Sequence, residues 1–328
     1  MRKRCLVIVL IGLAIVVFVA QGLAAVTGAT RDIVSNKYFL FIDGANAGLL
    51  KSVSGGGVSA AVIDEPAGSG LSGKKHIGQP RYQSVTLQLG LGNAKRVYDW
   101  IAASWKSAPP TREVSIEKVD YRMQVKSTRK YSRSFIEETT IPAMDGAGKE
   151  PVYLTVMINP QSTHEEAGGT TPEGNIGAND RRVFLPSNYR LDIDGMDCTK
   201  VNKIDAFTVK RTLVSDNIGG AHDFGANPTR VVFPNLKITM AEETSESWRR
   251  WFDDFVVKGN NDQSKERNGT LTFLSPDHQS ELARVRFFNV GIYSLEDEKA
   301  ESNADQIAHV TVELYVERME FEVLGVSD

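Results

Sequence analysis

The residues with the right types for metal, nucleophilic or acid–base chemistry are few and badly spaced for it. The histidines are His76, His164, His222, His278 and His309, and none has a second ligand at metal-binding spacing. His164-Glu165-Glu166 opens like a zinc-protease signature. That signature needs a second imidazole one helical turn on, and residue 168 is glycine in a stretch without helical period. His222-Asp223 and Asp277-His278 sit in turn-like sequence and read as solvated loops. The glycines of residues 64–73 lead through Lys74-Lys75 into a strand, whereas a phosphate loop would enter a helix. No G-x-S-x-G elbow is present. Glu242-Glu243 suits a helix N-terminus electrostatically, and Asp253-Asp254 reads as a solvated face. Asn268-Gly-Thr270 is a glycosylation sequon too short to carry weight. Cys198 reads as a small, partly buried residue. No catalytic, cofactor-binding or metal-binding residue emerges, no cofactor is implied, and the chain is not expected to be an enzyme.

What the sequence does contain is repeated structure. Val85, Leu87, Leu89 and Leu91 alternate with polar residues or glycine, which is the period of a strand. Val97, Trp100 and Ile101 then fall on one face of a helix. The same step recurs at Leu236, Ile238 and Met240, followed by Trp248, Trp251 and Phe252. Trp251 answers Trp100 and Trp248 answers Val97 at one offset without a gap, so the chain reads as two copies of one unit. Upstream, each copy has a strand stopped by an Asp-Gly turn, Asp43-Gly44 and Asp194-Gly195. Downstream, Glu113-Val-Ser-Ile-Glu117 is matched by Gly269-Thr-Leu-Thr-Phe273, and Ser134-Phe-Ile136 by Arg286-Phe-Phe288. Each copy closes on a long strand, Val152 to Ile158 and Val310 to Val316.

These signals divide the chain into an N-terminal segment over 1–29, one domain over 36–160, a linker over 161–180 and a second domain over 181–326. The linker is assigned from its Ser, Thr, Gly and Glu content and lack of period. Two long loops, 64–73 and 215–229, stand at one place in both copies and suggest contact with a neighbour. Gly55-Gly56-Gly57 marks a bend in a strand. The expected fold is mainly β (α+β): two tandem sandwich or barrel domains, each flanked by one helix. Trp100, Trp251, Val97, Trp248, Ile101 and Phe252 are expected in the cores.

Arg2-Lys3-Arg4, an apolar run and then small residues make the pattern of a secretory signal. Export to the periplasm, the cell surface or the medium is therefore expected. Membrane contact arises only if this segment stays uncleaved. Its removal takes Arg2, Lys3 and Arg4 and no acid, moving the formal net charge from -3 to -6. A chain of that balance is no general nucleic-acid binder. With Cys5 in the signal, the exported chain keeps Cys198 alone and has no internal disulfide.

The first copy resembles the tail-tube proteins of contractile phages, a family related to the Hcp tube of type VI secretion. The residues carrying the resemblance are Phe39-Leu-Phe-Ile-Asp-Gly44, Ala47-Gly-Leu-Leu-Lys-Ser-Val-Ser-Gly55, Tyr82-Gln-Ser-Val-Thr-Leu-Gln-Leu-Gly-Leu91 and Val97-Tyr-Asp-Trp-Ile101. The second copy keeps the strand, the Ile-Asp-Gly turn and the Trp helix but lacks the Ala-Gly-Leu and Ser-Gly pieces. The resemblance implies six such domains closing into a ring around an inner β-barrel, with rings stacking into a hollow tube. A two-domain chain then makes a ring from three copies, so the partner is the chain itself, as a homo-oligomer. Family members usually have one domain and assemble in the cytoplasm, so a tandem chain with an export signal points to a secreted tube or a periplasmic ring. The alternative is a secreted monomeric binding module that reuses the fold.

Overall fold

A computed structural model describes residues 37–65, 73–91, 93–168, 184–216, 225–298 and 308–324. The signal-like segment and parts of both long loops lie outside these residues. Among the described residues no helix is long and apolar enough to cross a membrane.

In the first half, β1 (Lys37–Ile42), β2 (Ala45–Gly55), β3 (Val58–Glu65), β4 (Lys74–Tyr82) and β5 (Val85–Leu89) lead into α1 (Lys95–Ser104). After it come β6 (Arg112–Val119), β7 (Val125–Ile141), the short β8 (Met144–Asp145), β9 (Leu154–Asn159) and β10 (Ser162–Ala167). The order β7-β6-β1-β2-β5-β9, with β9 paired back to β7, closes a six-stranded barrel. Period-two patterning drives it. Val85, Leu87 and Leu89 of β5 and Leu154, Val156 and Ile158 of β9 are buried, while the residues between them are only partly covered. Asp43 and Gly44 take φ of 51° and 78°, the positive values that a two-residue hairpin turn requires. Gly55 and Gly56, with φ of 83° and 73°, turn the chain from the barrel into the hairpin β3–β4.

The second half runs β11 (Tyr189–Ile193), β12 (Val201–Ile204), β13 (Phe207–Asp216), β14 (Gly225–Val232), β15 (Leu236–Ala241) and α2 (Glu246–Phe252). It ends with β16 (Arg267–Leu274), β17 (Glu281–Asp297) and β18 (His309–Val323). Its sheet order, β11-β16-β17-β18-β15-β12, repeats β1-β6-β7-β9-β5-β2 strand for strand. The ladder that closes the first barrel, β1 on β2, has no counterpart between β11 and β12 among the described residues. β8 of the first half pairs with β12 instead, leaving a half-barrel.

Register details repeat as well. The hairpins β3–β4 and β13–β14 each slip once, at Ala60/Val62 and at Arg211/Leu213. β7 and β17 each slip once against the closing strand, at Ile136/Glu138 and at Ile292/Ser294. Ile136 faces Ile158 and Ile292 faces Leu314, so Ile292 is the counterpart of Ile136. The sequence match sets Phe288 there instead. A slide by an even number of residues preserves strand alternation, so pattern alone cannot detect it.

The expected linker also begins later than residue 161. Ser162–Ala167 forms β10, which pairs with β7 as the distal part of β18 pairs with β17. The closing strand of the first half is interrupted at Pro160, which has no N–H to give, and resumes where Gln161 N donates to Ser132 O at 3.0 Å.

The two halves share one compact unit and one main apolar core, which runs from Leu40 to Phe321. They are joined by hydrogen bonds as well as packing. β13 pairs with Glu138–Ile141 of β7, taking over the edge that β6 leaves after Arg112 meets Ser134.

Candidate assembly surfaces

Both helices hold an aromatic core. Val97, Trp100 and Ile101 are buried, and Trp100 Nε1 donates to Pro110 O at 3.1 Å. Trp248 and Trp251 are buried in the second half, with Trp248 Nε1 donating to Asp197 O at 2.8 Å. Trp251 lies between Trp248 and Phe255, and the Arg267 guanidinium sits over its ring at 4.9 Å. Phe252 is only partly buried; Phe255, in the π-turn 253–257 that continues α2, fills the core position. The Asp-Gly turns are tied to the neighbouring strand in a parallel manner. Asp43 N donates to Glu113 O at 2.8 Å, and Asp194 N to Asn268 O at 2.9 Å. Arg112 meets the Asp43 carboxylate at 2.9 Å, while Arg267 donates to the Asp194 carbonyl.

The junction between the halves has three parts. Phe207, Thr208, Val209 and Lys210 pair with Ile141, Thr140, Thr139 and Glu138. Phe207 and Val209 are buried there, and Lys210 meets Glu138 at 3.0 Å. Trp105, at the end of α1, packs its ring 6.5 Å from Phe233, just past β14, and 5.6 Å from Phe321 of β18. Arg211 is 5% exposed and closes the end of α1: its guanidinium donates to Ser104 O at 2.6 Å, to Thr229 O at 2.5 Å and to Lys106 O. Burial pushes Arg211 below its ordinary pKa, though it remains a cation. Beside it opens a cavity of about 790 Å³, lined by Trp105, Lys106, Thr229, Phe233, Arg286 and Phe321 among others. Arg286 in its wall is not free for a ligand, since it meets Glu322 at 3.2 Å.

The chain is similar to proteins of contractile injection machines. About two-fifths of it matches the anti-feeding prophage cap, covering 88% of that protein at 12% identity with a TM-score of 0.35. A similar share matches the sheath–tube complex of an extracellular contractile injection system, covering 89% of that chain at 14% identity and 0.33. Hcp1 from Flavobacterium johnsoniae is matched over 98% of its length at 11% identity and 0.26. No family model matches the chain, and no curated protein does.

The remaining chemistry-bearing residues stay apart. Among the described residues no group of three or more His, Cys, Asp or Glu side chains is placed to hold a metal. His76 contacts Glu65 across the hairpin β3–β4, and His164 lies on β10. His278 takes φ of 56° in a turn, and His222 lies outside the described residues. Cys198 is a free thiol that burial pushes up to about 11, far from the reactive range. Of the loops expected at 64–73 and 215–229, the described ends belong to strands β3, β13 and β14, and residues 66–72 and 217–224 lie outside the described residues.

Sequence reasoning did not find Arg211, Lys210, Glu138 or Trp105. Trp105 had a usable signal: it continues the face of Trp100 and Ile101 yet lies just past the helix, where an apolar ring needs a partner from elsewhere.

Proposed function

We propose that the chain is an exported structural subunit of a ring or hollow tube, built as a tandem duplication of one tube-like unit. Three chains supply six alternating halves, and the role is architectural rather than catalytic. The observation that carries this reading is the hairpin β13–β14, which adds to β7 of the other half in a head-to-tail manner. A head-to-tail contact repeats until it closes into a ring or runs on as a filament. One such contact is already satisfied inside the chain, so three chains need only three more to close six units. Closure also removes strand edges that otherwise invite aggregation.

Native mass spectrometry and electron microscopy of the purified protein test the reading. Trimers, or stacks of trimers with six lobes per ring, are expected. A strict monomer at high concentration refutes the ring and leaves the secreted binding module. Export is tested separately by N-terminal sequencing of the protein recovered from an expressing bacterium, which should start between Ala25 and Asp32; a chain retained at Met1 in the cytoplasm refutes it.

A further inference from the structure

The internal junction has a donor, the hairpin β13–β14, and an acceptor, the edge of β7 with the end of α1. The matching register slips identify the counterpart of each on the rest of the molecule. The donor counterpart is β3–β4, where Ser59 answers Lys210 and Val58 answers Val209. The acceptor counterpart is the stretch Ser294–Asp297 of β17 with the end of α2, where Ser294 answers Glu138 and Leu295 answers Thr139. Among the described residues, β3 and β4 pair only with each other and Ser294–Asp297 pairs only with β18.

Two apolar positions buried at the internal junction have open apolar counterparts here, whereas Phe207 and Ile141 answer to Gly56 and Asp297. Val209 is 4% exposed and Val58 is 55% exposed. Trp105 is 6% exposed, and Val256, at the matching place after α2, is 41% exposed beside Val257. On the hairpin, Val62 and Ile77 extend the open apolar strip, while their counterparts Leu213 and Pro228 are less open or polar-flanked.

Two polar features have changed on donor and acceptor together. The Lys210–Glu138 ion pair becomes a pair of serines, Ser59 and Ser294. Arg211, which closes the end of α1, becomes Ala60, and the end of α2 needs no such cap: Lys258 N donates to Asp253 O at 2.8 Å and Asn260 N to Asp254 O at 3.0 Å. Each loss on the hairpin is matched by a change on the surface it would meet.

We infer that the hairpin β3–β4 docks on the Ser294–Asp297 edge of β17 and the Val256–Val257 shoulder of a second copy of this chain. The inference rests on the ring reading and adds the surface, the polarity and the register. Val58 faces Leu295 and Ser59 faces Ser294 across the junction. The contact between copies lacks the charged latch of the contact inside the chain: Ser59 and Ser294 stand for the Lys210–Glu138 pair and Ala60 for Arg211, and Glu296 and Asp297 border it.

Disulfide trapping tests it. Residues directly opposite in an antiparallel ladder have Cα atoms about 4.5–5.5 Å apart, within the range of a disulfide. Purified full-length S59C and S294C proteins are mixed and oxidised mildly, with the parent chain and each variant alone as controls for Cys5 and Cys198. A covalent dimer containing one of each variant is expected from the mixture only, and Val58→Glu in the S59C partner should reduce its yield at least tenfold. Ser59 and Val58 are exposed, so neither change threatens the fold. Assembly seen by light scattering without the mixed dimer overturns the docking surface and leaves the ring standing. Absence of assembly altogether removes the ring reading and this inference with it.

Discussion

Replacing Arg211 by alanine removes a buried side chain that ties the second half's hairpin to the end of the first half's helix. Its guanidinium serves three carbonyls, those of Ser104, Lys106 and Thr229. Hydrogen bonds from a charged donor contribute roughly 1.5–3 kcal/mol each, so the three together set a gross loss of about 4.5–9 kcal/mol. Two effects oppose this. Arg211 Nε is buried without a partner, a defect that costs about 1–3 kcal/mol and disappears with the side chain. Among the described residues no carboxylate pairs with the guanidinium to offset its desolvation, and the cavity beside it is lined by Lys106 and Thr229, whose carbonyls it serves. The expected net loss is about 3 kcal/mol. Urea unfolding of R211A measures it, and native-state hydrogen exchange at Phe207–Lys210 reports whether the hairpin opens locally before the barrel does. Arg211→Lys should fall between, since one ammonium cannot span three carbonyls. A change within about 0.5 kcal/mol, with protection at Phe207–Lys210 intact, refutes the latch.

Trp100→Ala and Trp251→Ala should each lose about 3–5 kcal/mol in the same unfolding assay, because both rings are buried at the centre of their helix contacts. Trp251 should sit at the lower end, its Nε1 having no hydrogen-bond partner to lose. Cys198 should resist maleimide at pH 7 and label on unfolding, as its half-buried thiol is protonated far above that pH; rapid labelling of the folded chain contradicts the assigned burial. Acid should weaken the fold. Hydrogen bonds from Arg129 and Arg284 hold Glu165 and Glu281 below the ordinary carboxylate value of 4.5. Their contribution is complete above that pH and fades as pH falls through the lowered values, so melting points measured downward from pH 6 should decline.

The strand–helix step was legible because side-chain period is a local property. The Val85 to Ile101 stretch states its strand face, its turn and its helix face without reference to the rest of the chain. Asp43-Gly44 was legible for a similar reason: two adjacent positive φ values select those residues. What stayed hidden depends on neighbours. β10 lacks an apolar face, since its Glu165 and Glu166 point to Arg129 and Lys130 on β7, and composition alone casts it as a linker. The slide between Phe288 and Ile292 keeps alternation and leaves no trace in the pattern. Phe255 is passed over in favour of Phe252 because the π-turn lies beyond the part of the helix that repeats. The pairing of β13 with β7 joins residues far apart in sequence through backbone groups, which carry no side-chain signature.

All six strands of the closed barrel lie between Lys37 and Asn159. The topology therefore permits vectorial folding. At ~5–20 residues per second, the ribosome needs roughly 10–30 s to deliver the residues beyond Asn159. Hairpins form within about 10 µs and β-rich domains within about a second, so the barrel has ample time to close before the second half is complete. The half-barrel has no such independence, because its outermost strand is the dipeptide Met144-Asp145, supplied by the earlier half. The nascent chain thus builds its own template: a finished barrel offers the free edge of β7 and the waiting β8, and the later half condenses on it in sequence.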